Sequence, residues 1–96
     1  MSKAPQDESF YQRFHQQLLD TSSWPGPYVF KFIIPTSGKT KESLLQLFKD
    51  DKVNASERVS SKGKYTSISI EGIFANPSII IEKYKQAAKI PDIIQL

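Results

Sequence analysis

Cysteine is absent from this chain of 96 residues, and histidine occurs once. Disulfide bonds, thiolate metal ligands and thiol nucleophiles are therefore excluded. His15 has no second imidazole or thiolate with which to complete a zinc-type site, so we expect it at the surface or partly packed. The lack of cysteine fits a reducing compartment, and we expect a cytoplasmic protein that folds without a metal or a disulfide.

Long apolar runs are also lacking. No run approaches the ~20 residues that span a bilayer, and the polar residues 1–8 provide no signal-peptide core, so we expect a soluble protein without a membrane partner.

Neither sign of charge predominates, because 13 basic and 10 acidic residues leave a formal net charge of +3. Acids and bases are interleaved along most of the chain, as is typical of a solvated surface. A chain of this length forms one domain with one core.

Three apolar side chains at a spacing of four residues predict a first helix. They are Phe10, Phe14 and Leu18. Residues 1–8 before this helix are expected to form a flexible tail, and the prolines and glycine within residues 21–27 end it. We interpret residues 9–23 as an added N-terminal helix, and we expect its apolar stripe to cover the open face of a sheet or one of its edges.

Residues 24–96 are expected to form the domain itself. Strands are predicted at residues 28–34, 52–60, 64–75 and 92–96. One helix is predicted to begin near Thr40 and a second at Asn76-Pro77. Asparagine caps the free N–H groups of a first turn, and proline suits the first helical position, where no N–H partner is needed.

Apolar residues recur at every second position in two of these strands and define a buried face. They are Phe30, Phe32 and Ile34 in one strand and Ile68, Ile70 and Phe74 in the other. Strand 52–60 is polar on both faces, which indicates a sheet edge. The order of elements predicts an α+β fold, a ferredoxin-like β-α-β-β-α-β sandwich with two helices on one face of a four-stranded antiparallel sheet. Strands 28–34 and 64–75 are neighbours in this fold.

The segment at residues 60–70 resembles the most recognisable segment of the YbeD-like family, small bacterial proteins grouped as a domain of unknown function. The resemblance also includes residues 24–28 and 89–93, and so covers about residues 24–96. This family is similar in fold to ACT-type regulatory domains, which bind small effectors, often amino acids, at domain interfaces. The resemblance implies an effector loop after the first strand of the domain. Its candidate ligand-binding residues are Thr36, Ser37, Gly38 and Lys39.

A second candidate site is the predicted hairpin between strands 52–60 and 64–75. Its residues are Arg58, Ser61, Lys62, Gly63, Lys64 and Tyr65. The three basic residues have no acid between them, and a glycine with positive φ lets consecutive backbone N–H groups form an anion-binding nest. The same residues also fit a solvated hairpin tip, in which lysines protect a sheet edge. Both interpretations stay open, and they include an anion or a protein partner as the contact.

Two nucleotide-binding patterns are incomplete. Gly38-Lys39-Thr40 resembles the end of a phosphate-binding P-loop, but residue 33 is isoleucine where that motif has its first glycine. Ribonucleoprotein-type RNA binders carry aromatic residues one and three positions after a Lys-Gly pair, where this chain has Lys64 and Thr66. We therefore do not expect nucleic acid as the main partner.

No catalytic constellation is evident. No spacing brings a serine, a histidine and an acid together, and Asp50 and Asp51, followed by Lys52, are interpreted as solvated. We expect no enzyme activity, no metal and no cofactor. The predicted function is a small non-catalytic regulatory or interaction module that binds a small effector or a protein partner, with a homodimer left open. The alternative is a weak RNA-binding protein that uses the basic hairpin at residues 58–64.

Overall fold

Three helices and four strands make up the computed structural model over residues 8–95, which are the residues that it describes. In chain order they are α1 (Glu8–Thr21), β1 (Gly26–Pro35), α2 (Thr40–Gln46), β2 (Val53–Val59), β3 (Tyr65–Phe74), α3 (Pro77–Ala87) and β4 (Ile94–Gln95). The predicted α+β class is confirmed. Residues 1–7 of the predicted tail and Leu96 of the predicted last strand lie outside the described residues, and Glu8 is the first residue of α1.

The four strands form one antiparallel sheet in the order β2-β3-β1-β4. The arrangement is compatible with a ferredoxin-like fold. β1 and β3 are paired along their whole length, from Gly26 opposite Phe74 to Pro35 opposite Tyr65. The edge position of β2 confirms what its polar sequence predicted. β4 pairs with β1 through only two residues, so it is shorter than the predicted strand at 92–96.

The core lies between one face of the sheet and the helices. The buried face of β1 and β3 has the predicted alternation, and its six large apolar side chains are no more than 3% exposed. Leu44 of α2 and Ile80, Ile81 and Tyr84 of α3 belong to the same cluster. Burial of each such side chain stabilises the fold by roughly 1.5–3 kcal/mol. Both helices therefore cover the same face of the sheet.

The start of α3 is capped as its sequence predicts. The Asn76 side chain accepts a hydrogen bond from the N–H of Ile79 at 3.2 Å, and Pro77 is the first helical residue. An asparagine at this position stabilises a helix by roughly 1 kcal/mol. The cap fixes where the chain turns from β3 back over the sheet.

α1 packs against α3 and not on the open face of the sheet. Tyr11 and Leu18 are buried, and the Phe14 ring lies 5.5 Å from the Tyr84 ring between centroids. The indole of Trp24 donates a hydrogen bond to the carbonyl oxygen of Leu18 at 2.9 Å, which fixes the end of the helix. The apolar stripe thus covers a neighbouring helix, which was not among the surfaces predicted for it.

The open face of the sheet keeps several apolar side chains exposed. Val29 and Ile73 are 44% and 68% exposed, and Tyr65 and Ile94 lie on the same face. None of the helices among residues 8–95 is long and apolar enough to cross a membrane.

Candidate functional site

The two loops that were predicted separately as ligand-binding sites lie side by side. The backbone N–H of Thr36 donates a hydrogen bond to the carbonyl oxygen of Lys64 at 2.9 Å. The hydroxyl groups of Thr36 and Thr66 are also 2.9 Å apart. Because β1 ends where β3 begins, the loop after β1 and the turn before β3 form one surface at this end of the sheet.

Glycines shape both loops. Gly38 has a φ of 100° and Gly63 a φ of 76°, a region that residues with a Cβ rarely adopt. A Cβ at either position would meet no atom within 4 Å, so the requirement for glycine is conformational and not steric. The turn at Gly63 is closed by its N–H, which donates to the carbonyl oxygen of Ser60 at 2.9 Å.

One cleft opens between these loops. It has a volume of about 440 Å³. Its lining residues are Pro35, Thr36, Ser37, Gly63, Lys64 and Tyr65. We call it the end cleft. It brings together residues of both candidate sites, which the sequence places about 25 positions apart.

A second cleft lies on the open face of the sheet beside the first. It has a volume of about 430 Å³. Its lining residues are Ile33, Arg58, Val59, Ser60, Ser61, Tyr65 and Ser67. We call it the face cleft. Tyr65 lines both clefts and is 49% exposed, so its side chain can contact a ligand in either of them.

One basic side chain lines each of the two clefts. No Asp or Glu among the described residues lines either of them. Lys64 lines the end cleft and Arg58 the face cleft, and neither forms an ion pair with a carboxylate of residues 8–95. Lys41 is different, because it is paired with Glu57. The clefts are therefore suited to an anion.

Several hydroxyl groups around the clefts are already hydrogen-bonded. Ser60 accepts from the N–H of Tyr65 at 3.3 Å, and Ser67 donates to the carbonyl oxygen of Arg58 at 3.4 Å. No hydrogen bond to Ser37 or Ser61 side chains is formed within the described part of the chain, so these hydroxyls are free to bind a ligand. The clefts offer cations, hydroxyls and a phenol ring, but no base beside a nucleophile.

Most of the predicted site residues line one cleft or the other. Gly38, Lys39 and Lys62 line neither. All three are exposed, and Lys62 stands at the tip of the turn. The two lysines add positive charge near the clefts, whereas Gly38 contributes only its backbone conformation.

The open face presents a small aromatic area. Tyr65 is the one aromatic side chain on this face within the described strands, and Glu71 is exposed on the same face. Single-stranded nucleic acids bind to platforms of several stacked rings within a positively charged groove. The face therefore lacks most of what RNA stacking requires.

His15 has a partner that the sequence did not indicate. Its Nε2 atom lies 3.2 Å from the hydroxyl oxygen of Ser78, which is 63 positions away in the first turn of α3. No Asp or Glu among residues 8–95 hydrogen-bonds the histidine. Glu8, which lines a small surface cleft together with His15, is paired with Lys85 at 3.3 Å. Within the described part of the chain the Ser–His pair therefore has no orienting acid, and it links α1 to α3.

The prediction that Asp51 is solvated is wrong. Its carboxylate pairs with Lys83 at 2.7 Å, and both side chains are less than a third exposed. Lys83 also donates to the carbonyl oxygen of Leu47 at 2.6 Å and lies 5.0 Å from the centre of the Phe48 ring. The pair connects the end of α2 to α3, and so has a structural role.

Within residues 8–95, no group of three or more His, Cys, Asp or Glu side chains is arranged to hold a metal ion. No protein-family model matches the chain, and comparisons with curated proteins and with solved structures found no significant match.

Proposed function

We propose that the protein is a non-catalytic regulatory module that binds a small anionic effector across the end cleft and the face cleft. The proposal rests on one observation. Two loops that were predicted as candidate sites for different reasons meet at Tyr65. The loop after β1 contributes hydroxyl groups, and the β2–β3 turn contributes Lys64 and the backbone of Gly63. A site assembled from separate segments is typical of small-molecule binding.

The chemistry of the clefts defines the class of ligand. Lys64 and Arg58 attract a carboxylate or a phosphate, and the hydroxyls of Ser37 and Ser61 can donate to its oxygens. The Tyr65 ring and the apolar side chains of Pro35 and Ile33 suit an apolar part of the ligand. A small metabolite with one anionic group and one apolar or planar group matches these walls, and free amino acids belong to this class.

The experiment measures thermal stability in the presence of individual probes, which are inorganic phosphate, each free amino acid and each mononucleotide. A ligand at 100 times its Kd stabilises the native state by about 2.7 kcal/mol. For a domain of this size the melting temperature then rises by roughly 10–20 °C. A probe that produces such a rise is titrated by calorimetry.

Lys64→Gln is the informative variant. A hydrogen bond to a charged group contributes about 1.5–3 kcal/mol, so we expect affinity for the probe to fall about 10- to 100-fold. Lys49→Gln is the matched control, because Lys49 is exposed at the opposite end of the sheet. Equal affinities of the two variants, or no stabilisation by any probe, would contradict an effector site at these clefts.

We further propose that the topology is the ferredoxin-like β-α-β-β-α-β arrangement and that residues 24–96 are a YbeD-like domain of the bacterial cytoplasm. The strand order supports the topology, because α2 joins β1 to β2, α3 joins β3 to β4, and each pair of strands has one strand between them. The family rests on the resemblance of residues 60–70 and the two flanking segments. ACT-type domains, which are similar in fold, support a regulatory role.

A further inference from the structure

β2 is an edge strand with an accessible outer side. No strand among residues 8–95 pairs with that side. The pairing of β2 with β3 is continuous from Val53 to Val59, without a bulge. β2 contains no proline, and its last six residues are exposed. Natural proteins protect a long edge with a proline, a bulge, a covering loop or charged side chains. β2 contains two charged residues, Glu57 and Arg58, but no proline or bulge, so its outer backbone groups are open to strand addition.

The hairpin shows which backbone groups of β2 face outward. Ser60 donates its N–H to the carbonyl oxygen of Tyr65 at 2.8 Å, so these opposed residues form a hydrogen-bonded pair. Such pairs alternate with non-hydrogen-bonded pairs along an antiparallel ladder. The backbone groups of Asn54, Ser56 and Arg58 therefore face β3. The outward-facing backbone groups are those of Val53, Ala55, Glu57 and Val59.

We propose that β2 pairs antiparallel with β2 of a second copy, about a two-fold axis beside Ser56. Ser56 is the middle residue of the strand, so all seven residues take part. The opposed residues are Val53 with Val59, Asn54 with Arg58, Ala55 with Glu57, and Ser56 with Ser56. Opposed side chains share a face of a sheet, so one eight-stranded sheet forms with the helices of both copies on the same side.

The charges on β2 select this register. The outward-facing backbone groups of one copy must pair with the outward-facing backbone groups of the other. One β2 strand can therefore slide along the other only by an even number of residues. The next register in one direction places Glu57 opposite Glu57 of the second copy. The next register in the other direction places Lys52 opposite Arg58. Like charges directly opposed are destabilising, and the register centred on Ser56 avoids both contacts.

This register also gives Arg58 an acidic partner. Arg58 of the second copy is opposed to Asn54, and Asn54 is itself opposed to Glu71 on β3. These residues share the open face. Two strand spacings amount to about 10 Å between Cα atoms, which an arginine and a glutamate side chain can bridge together. The symmetric contact occurs twice. Glu57 does not disturb the pairing, because Lys41 of its own chain compensates its charge.

The interface is small. A stable dimer usually buries about 1,600 Å² in total, and one added pair of seven-residue strands buries less. We therefore expect reversible association that becomes evident between about 10 µM and about 1 mM protein, in the weak range of affinities. A foreign acidic strand could also meet the outward backbone groups, but the pairing of Asn54 with Arg58 and of Val53 with Val59 specifically fits a second copy.

Disulfide trapping tests both the partner and the register. The chain has no cysteine, so each variant carries one thiol. Ser56 meets its own copy as a non-hydrogen-bonded pair with Cα atoms about 4.5 Å apart, which suits a disulfide. Ser56→Cys should form covalent dimers under mild oxidation at least ~10-fold faster than Asn54→Cys, whose copies lie too far apart to be bridged. A mixture of Asn54→Cys and Arg58→Cys should cross-link as mixed dimers.

Ala55→Pro provides the second test. Proline at residue 55 removes an N–H that faces outward and leaves the bonds between β2 and β3 intact. Sedimentation equilibrium should show a concentration-dependent dimer for the wild-type chain and for Ala55→Thr, and a monomer for Ala55→Pro. Circular dichroism verifies that all variants fold, and phosphate is omitted because Arg58 also lines the face cleft.

Faster trapping of Ser56→Cys, together with loss of the dimer in Ala55→Pro, supports the proposal. Equal trapping rates for Ser56→Cys and Asn54→Cys would overturn the register. A wild-type chain that remains monomeric at about 1 mM, with no trapping of Ser56→Cys, would overturn the dimer, even if an acidic peptide then bound to the edge. These outcomes are independent of whether any probe binds in the clefts.

Discussion

The hydroxyl groups of Tyr28 and Tyr84 lie 2.9 Å apart between the sheet and α3, with their rings nearly perpendicular. Burial raises the pKa of both phenols above the ordinary value of 10.0. The hydrogen bond raises the pKa of Tyr84 further and lowers that of Tyr28. One polar contact thus joins the strand at the centre of the sheet to the helix that covers it.

The first prediction concerns stability in alkali. The native chain keeps these phenols protonated at a pH where the unfolded chain releases their protons. Their contribution to stability is complete below pH 10 and is lost as pH rises above it, by up to ~1.4 kcal/mol per pH unit for each phenol. Urea unfolding between about pH 8 and about pH 11.5 measures this slope.

Tyr84→Phe should make the decline with pH shallower, because the phenol with the raised pKa is removed. Tyr65→Phe is the control, since Tyr65 is half exposed and outside the core. The pKa-based account of alkaline unfolding fails if Tyr84→Phe and the wild-type chain lose stability equally fast.

The second prediction concerns the centre of the core. The Phe30 side chain is fully buried, and its ring lies within about 6 Å of five other aromatic rings, a range typical of favourable aromatic pairs. Phe30→Ala should cost about 3–5 kcal/mol in the free energy of unfolding, since both burial and ring contacts are lost. The adjacent Val29 lies on the open face, and Val29→Ala should cost much less. Urea unfolding measures the free energy of unfolding of both variants. Equal losses in the two variants would contradict the assignment of Phe30 to the buried face and Val29 to the open face of the sheet.

The third prediction concerns the turn between β2 and β3. Gly63 has a positive φ, so Gly63→Ala should lower the free energy of unfolding by about 1–2 kcal/mol through backbone strain. The melting temperature should fall by roughly 4–8 °C for each kcal/mol. Ser61→Ala in the same turn should have almost no effect. An unchanged melting temperature in Gly63→Ala would show that the turn adopts another conformation.

The fourth prediction tests the RNA-binding alternative. Three cations that form no ion pair with a carboxylate of residues 8–95 lie along the hairpin, namely Arg58, Lys62 and Lys64. Each phosphate contact with a single strand contributes about 0.7 to the slope of log affinity against log salt, so the hairpin accounts for a slope of at most about −2. Fluorescence anisotropy with a single-stranded oligonucleotide measures it. A slope steeper than about −3 would require phosphate contacts beyond the hairpin and would favour RNA binding over an effector site.

Much of the sheet could be predicted from the sequence because a strand has a strict period of two. The alternation in residues 28–34 and 64–75 identified the buried faces of β1 and β3 without reference to any neighbour. The meeting of the two loops was also implicit. Antiparallel pairing of these strands places the end of one beside the start of the other, so residues 36–39 and 61–64 must be close.

Contacts between distant surfaces could not be predicted in this way. The stripe of α1 indicates which of its residues are apolar, but not that α3 is the surface they cover. The pairs Asp51 with Lys83 and His15 with Ser78 depend on how the helices cross. No local pattern in the sequence records that geometry, which is why Asp51 was predicted to be solvated although it pairs with the largely buried Lys83.

The continuous pairing of β1 with β3 has a kinetic consequence. Opposed residues of these strands are about thirty to fifty positions apart along the chain, so the ends of a long loop must meet before the central ladder can grow. The β2–β3 hairpin, closed by a short turn, can form within microseconds. We therefore expect that recruitment of β1 onto this early hairpin limits the folding rate, and that the molecule folds in milliseconds or longer although it has three helices.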